Sequence, residues 1–158
     1  VAPLPDSILD VADLSQVKPE DIREFAVGSF PADLGIEPLE IEDDHARGRI
    51  IVESRHLHPG GFVHGGVWTA LGDTVAAWAT FRAIPPGWDF TTIELKLNVF
   101  GAGRLGDEIV ADARPLHAGR STAVIEVRIE RIRDGASKLA ANLVVSQFVI
   151  PPGDPLAI

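Results

Sequence analysis

Between residues 58 and 73 the chain reads HPGGFVHGGVWTALGD, and three features there could do chemistry together. The pair Gly65–Gly66 stands where a helix would begin. A helix N-terminus leaves backbone N–H groups without partners and carries partial positive charge, and glycine lets another group approach them closely. Such a place suits a carbonyl oxygen that gains charge during acyl transfer; a tight turn leading into a helix would use the same two residues. Asp73 lies eight positions on, in an otherwise apolar run. A buried, ionised carboxylate without partners is costly, and aspartate is a mediocre helix former. It is therefore either a working acid, a structural group bonded to a hydroxyl or the backbone, or an exposed position. His64, just before the glycines, either orients the loop or is structural.

Geometry constrains how these groups cooperate. Eight residues of helix rise ~12 Å, whereas a general base or nucleophile works at hydrogen-bond range. Gly65 and Asp73 of one chain cannot serve one carbonyl. If both serve one reaction they come from two subunits, and the site lies at a dimer interface.

The elements around this stretch follow from periodicity. Residues 65–84 place Val67, Ala70, Leu71, Thr74, Val75, Trp78 and Phe81 at helical spacing. The run is apolar nearly all round, which predicts a central, buried helix stopped by Pro85, Pro86 and Gly87. Upstream, Pro19, Glu20 and Asp21 predict a helix start, with the helix ending near Gly28 and a further helical turn at residues 31–34. Residues 36–42 alternate as a strand, residues 45–48 read as a turn, residues 49–53 as a second strand and residues 54–64 as a loop. Four more strands are expected at 91–100, 107–117, 121–133 and 138–150, joined as an antiparallel meander. A helix with no polar face needs a curved sheet around it. One domain over residues 16–150 is expected, with tails at 1–15 and 151–158.

Composition narrows the function. The 158 residues include no cysteine, which excludes disulfides and thiolate chemistry and fits a reducing compartment. The formal charge of −9 with no Lys/Arg run argues against nucleic acid. No apolar run has the length of a membrane span, and the acidic start does not read as a signal peptide; a cytoplasmic location is expected. A phosphorylated substrate would need local basic residues or helix N-termini to offset the overall field.

The stretch HGGVWTALGD resembles the His-Gly-Gly-x-x-x-x-Leu-x-Asp signature of hotdog-fold acyl-CoA thioesterases of the phenylacetate-pathway (PaaI-like) type, close to the 4-hydroxybenzoyl-CoA thioesterases that carry Glu at the last position. GIEPLEIED, TTIELKLNVFGAGRLGD, HAGRSTAVIEVRI and KLAANLVVSQFVI resemble the family's strands, so the likeness covers about residues 30–150. It implies an α+β hotdog, a long antiparallel sheet wrapped around a central helix, assembling as dimers or dimers of dimers with sites between subunits. It implies hydrolysis of a small aryl- or medium-chain acyl-CoA, with CoA as part of the substrate and with no cofactor and no metal. By position it implies that Gly65 supplies the oxyanion N–H, that Asp73 of the other subunit activates water or attacks the thioester, and that His64 supports the loop. Gly66 would border the substrate and Thr92 would help to place the water. Gly119, Arg120, Ser121 and Thr122 would lie near the nucleotide or pantetheine arm, with Arg120 as the phosphate candidate.

The sequence departs from the pattern at three places. His58 stands for the usual Asn or Gln that orients thioester or water, Ala77 for a Ser or Thr of the benzoyl-CoA lineage, and Gly101–Ala102 for an Arg–Pro pair. Trp68, Trp78, Trp88, Phe62 and Phe100 are candidates either for an acyl pocket or for plain core. Two rivals remain at this level. His58-Pro59-Gly60 with Asp73 loosely echoes hotdog enoyl-thioester hydratases or dehydratases, and a non-catalytic acyl-CoA-binding oligomer would not need Asp73 at all. His56, His58 and His64 share one loop, yet no acidic or cysteine set accompanies them at metal-ligand spacing.

Overall fold

The computed structural model describes residues 14–153. The expected tail residues 1–13 and 154–158 lie outside the described residues. Two short helices, α1 (Pro19–Phe25) and α2 (Phe30–Asp33), precede strands β1 (Glu37–Ile41) and β2 (Ala46–Ile51). The long helix α3 (Gly65–Ala83) follows, then β3 (Asp89–Val99), β4 (Glu108–Ala118), β5 (Thr122–Arg133) and β6 (Ala136–Ile150). All six strands form one antiparallel sheet in the order β1-β2-β4-β5-β6-β3, and α3 packs on one face. This is the hotdog architecture. No helix among the described residues is long and apolar enough to cross a membrane.

The helix is buried because the sheet's inward rows are apolar. Ile109, Ala111 and Ala113 of β4, Ile125, Val127 and Ile129 of β5, and Leu143 and Val145 of β6 are fully buried against Trp68, Leu71, Val75, Ala76 and Trp78. Period-two alternation puts charged residues on the outer face, where Arg49 bridges Glu37 and Glu108 at 3.0 Å each. Glycine permits the closest approaches. A Cβ on Gly72 would lie 2.6 Å from the Leu143 side chain, and one on Gly48 would lie 2.6 Å from Trp78.

Two expectations are corrected. Residues 45–48 are not a turn; β2 already begins at Ala46, and Gly48 is in the strand because Trp78 and Val75 press against it. The last four strands are not a simple meander. β3 does not pair with β4 but leaves along residues 100–107 and lies on the far side of β6, so the β5–β6 hairpin sits between them. Alternation reports which face a residue takes, not which strand lies beside it. The consequence for the site is that β3, eleven residues long, pairs among the described residues with β6 alone and leaves its other edge open.

Candidate active site

The start of α3 is built by a short closed loop. Leu57 and Val63 form an isolated antiparallel bridge, Val63 N–H donates to Gly103 O at 2.9 Å, and His64 N–H donates to His56 O at 2.9 Å. His64 has the extended backbone of an N-cap, and its Nδ1 accepts from Gly66 N–H at 2.9 Å. The Gly66 amide is thereby spoken for. The Gly65 N–H has no hydrogen-bond partner among the described residues. Gly65 does not have positive φ, and a Cβ there would meet no atom within 4 Å. Nothing among the described residues requires glycine at 65.

α3 is not apolar all round in its setting. Thr69, Ala70, Asp73, Thr74 and Ala77 form a half-buried stripe of small and polar side chains. Asp73 Oδ1 accepts from Thr92 Oγ1 at 2.9 Å, and Thr92 is on the open strand β3, next to a register shift between Thr92 and Glu94. The bulge re-aims the strand at this point. No cation pairs with Asp73 among the described residues. One helical row further on, the Thr80 hydroxyl lies within bonding range of Ala76 O and of Gln147 Oε1, and Gln147 is the cross-strand partner of Thr92. This buried pair fixes α3 over β6 beside Thr92. Neither residue stood out in the sequence, although a glutamine within the apolar run LVVSQFVI is the signal that marks it.

His58 Nδ1 accepts from Gly60 N–H at 2.9 Å, so its ring proton is on Nε2. Its ring stacks obliquely at 5.9 Å on Phe62, which in turn lies under the Arg104 guanidinium at 5.2 Å. His56 is structural: buried, with Nδ1 accepting from Glu53 N–H and Nε2 donating to Leu34 O, both at 2.9 Å. Trp68 and Trp78 belong to the core, whereas Phe62 and Phe100 are exposed.

The other sequence candidates lie elsewhere. Gly119, Arg120 and Ser121 form the β4–β5 turn and Thr122 opens β5; the turn is closed by Gly119 N–H to Thr122 O at 2.8 Å and tied to β6 by Val149 N–H to Ser121 O at 3.0 Å. Thr122 is level with Phe148 on β6, while the segment tied to the α3 N-terminus bonds to Ala140. Eight strand residues separate those levels, or ~26 Å. Within one chain, Gly65 and residues 119–122 are therefore at opposite ends of the helix. Gly65 and Asp73 share α3 and stand ~12 Å apart along it.

The β3–β4 connection holds a second acid that sequence reading passed over. Asp107 is buried, accepts from Arg133 Nε and Nη2 at 2.6 Å each, and caps Arg104 N–H at 2.7 Å. The Arg133 guanidinium, helped by that backbone bond and by the charge of Arg131, holds the Asp107 carboxyl below its usual range against the opposing effect of burial.

Comparison with known proteins agrees with this geometry. The thioesterase superfamily pattern matches residues 60–137, which include the α3 N-terminus, Asp73 and β3. A 1,4-dihydroxy-2-naphthoyl-CoA hydrolase of Listeria monocytogenes is 29% identical over 96 residues, covering 61% of this chain and 77% of that protein. A crystal structure of a thioesterase from Haemophilus influenzae superimposes with a TM-score of 0.79 at 25% identity, covering 86% of this chain and 92% of the other. A variant of the phenylacetic acid degradation protein PaaI from Thermus thermophilus superimposes with a TM-score of 0.66 at 26% identity, covering 75% and 96%. With its helix-wrapping sheet, its His-Gly-Gly helix start and these relatives, the chain is a hotdog thioester hydrolase, similar to the thioesterase superfamily and to PaaI-like members of it.

Proposed function

We propose that this chain hydrolyses acyl-CoA thioesters, of small aryl or medium-chain acids, at a site shared by two copies. The observation that carries the reading is the placement of Asp73: it is held by Thr92 beside the open edge of β3, ~12 Å along its own helix from the unpartnered Gly65 N–H. A second chain pairing along β3 would bring a foreign α3 start to each Asp73. The glycine at 65, which no contact among the described residues requires, then makes room for substrate.

In this reading the thioester carbonyl oxygen accepts from Gly65 N–H at the positive end of α3. Asp73 of the other copy takes a proton from water as it attacks the carbonyl carbon, or attacks that carbon itself to give an anhydride that water then opens. In either route the tetrahedral oxyanion collapses, the C–S bond breaks, and the thiolate leaves with the electron pair. Thr92 donates to Asp73 Oδ1 and so orients the carboxylate. His64 fixes the loop through Gly66. His58, with its ring proton on Nε2, is a hydrogen-bond donor toward the thioester.

The test uses two disabled chains. Asp73→Asn removes the carboxylate. Gly65→Pro removes the N–H at a helix N1 position that accepts proline, after a His64 whose backbone is already extended. Each alone should release negligible thiol from a panel of aryl-, short- and long-chain acyl-CoAs. Mixed and reassociated, half of the dimers are hybrids with one intact site of two, so roughly a quarter of the parent rate should return. No recovery on mixing, with both variants folded and exchanging subunits, removes the shared site. No thiol release by the parent from any ester removes the hydrolase reading.

A further inference from the structure

Three histidines precede α3, and the reaction above uses two of them. The third, His56, is 1% exposed. Burying an imidazole is costly unless both ring nitrogens are matched, and an apolar side chain would fill the same space without that demand. Both nitrogens are matched here, by backbone groups of different segments. Nδ1 accepts from Glu53 N–H at 2.9 Å, at the N-cap of the single 3-10 turn Ser54–His56. Nε2 donates to Leu34 O at 2.9 Å, where α2 ends. These partners fix one tautomer, with the proton on Nε2. Arg55, the residue before, donates from Nη1 to Asp33 O, the preceding carbonyl. The approach there is close: Gly35 has φ +70°, and a Cβ on it would lie 3.0 Å from Arg55 Nη2. Two successive side chains of the turn thus grip two successive carbonyls at the end of α2, groups that a helix C-terminus leaves without partners of its own.

The other side of the turn faces the site. His56 O accepts His64 N–H at 2.9 Å, and His64 Nδ1 accepts Gly66 N–H at 2.9 Å. The Gly65 amide belongs to the peptide unit between those two bonds, and the carbonyl of that same unit, His64 O, accepts Val67 N–H at 2.9 Å. The direction of the unpartnered Gly65 N–H is therefore set by the bonds of its neighbours. Two of these bonds lie within the helix start and turn with it. The bond to His56 O ties the helix start to the rest of the fold. An oxyanion donor works only when aimed at the place where charge develops, and a misplacement of about 1 Å can cost a hundredfold.

We infer that His56 is a positioning residue for the Gly65 amide: its ring braces the start of α3 against the end of α2, so that a segment remote from the thioester helps to set the oxyanion site. The inference deepens the hydrolase reading above and rests on it for the effect on rate. The ring that grips Leu34 and the carbonyl that receives His64 belong to one residue, so a shift of the ring is passed to the helix start without a flexible link.

The test compares the parent with His56→Ala, His56→Asn, His56→Gln and Arg55→Ala, on the acyl-CoA that the parent cleaves fastest. Asparagine replaces the acceptor at Nδ1, whereas glutamine places an N–H where Nε2 donates. In His56→Ala and His56→Asn, kcat should fall about ten- to a hundredfold with KM changed by less than about twofold. His56→Gln should recover most of the loss, and Arg55→Ala should show a smaller fall in kcat, about threefold. Amide hydrogen exchange supplies a readout that does not depend on turnover. The Gly66 amide should exchange about tenfold faster in His56→Ala and His56→Asn, while Val75 and Ala76 in the middle of α3 keep the parent rates. An unchanged kcat in a folded His56→Ala or His56→Asn overturns the inference. So does an asparagine variant as active as the glutamine one, which would confine the role to the local turn, and so does exchange that rises equally along the whole helix. If His56→Ala does not fold, the other three variants decide. If the parent cleaves no thioester, the hydrolase reading falls and exchange alone decides the brace: a rise local to Gly66 sustains it, and no local rise overturns it.

Discussion

Two aspartates in two regions of this molecule are held in opposite ways. Asp107, at the connection into β4, is buried and satisfied, with two bonds from one guanidinium at 2.6 Å and one from a backbone amide at 2.7 Å. Asp73, in the middle of α3, is half-buried and has one bond from a neutral hydroxyl at 2.9 Å, with no cation opposite among the described residues. The fold uses the first carboxylate as a clamp and leaves the second with accepting capacity unspent. An acid on an apolar helix whose valences the chain itself does not fill is available for chemistry with something that arrives from outside.

The sharpest way to break this contrast is to remove each side chain and read activity and stability together. Asp73→Ala should lower thiol release by about a thousandfold or more while leaving the unfolding midpoint near that of the parent. Asp107→Ala should do the reverse, costing about 1–3 kcal/mol in urea unfolding because Arg133 and the Arg104 amide lose their acceptor, with turnover of the folded protein retained. Equal destabilisation by both would make Asp73 a structural acid. Thr92→Val should come next in size. It deletes the one bond that aims Asp73, and kcat should fall about tenfold with little change in stability; an unchanged kcat would relieve Thr92 of that role. The smallest effect concerns acid. The folded-state carboxyl of Asp107 titrates below its ordinary value of 3.8. Its stabilisation is therefore complete above that value and is lost as pH falls through the lower, folded-state value. The stability gap between the parent and Asp107→Asn should accordingly narrow as pH falls below 3.8, and a gap that widened there would contradict the assignment.

Much of this was legible in the sequence because the relevant signals are local. The 3.6-residue spacing from Val67 to Phe81 and the stop at Pro85–Pro86 gave α3 to within a residue, and the alternation in TTIELKLNV and STAVIEVRI gave the strands. What escaped was relational. Gly48 read as a turn signal, but its role depends on Trp78, thirty residues away. The pairing of β3 with β6 depends on a crossing that periodicity does not record. His56 read as one of three histidines in a loop, but its role depends on Leu34, twenty-two residues back.

That β3 finds its neighbour in β6 also sets an order of events during synthesis. Residues 89–99 leave the ribosome well before their partner, residues 136–150, and until then the strand carrying Thr92 has both sides unpaired. Contacts of such long sequence separation form late and leave strands exposed in the meantime.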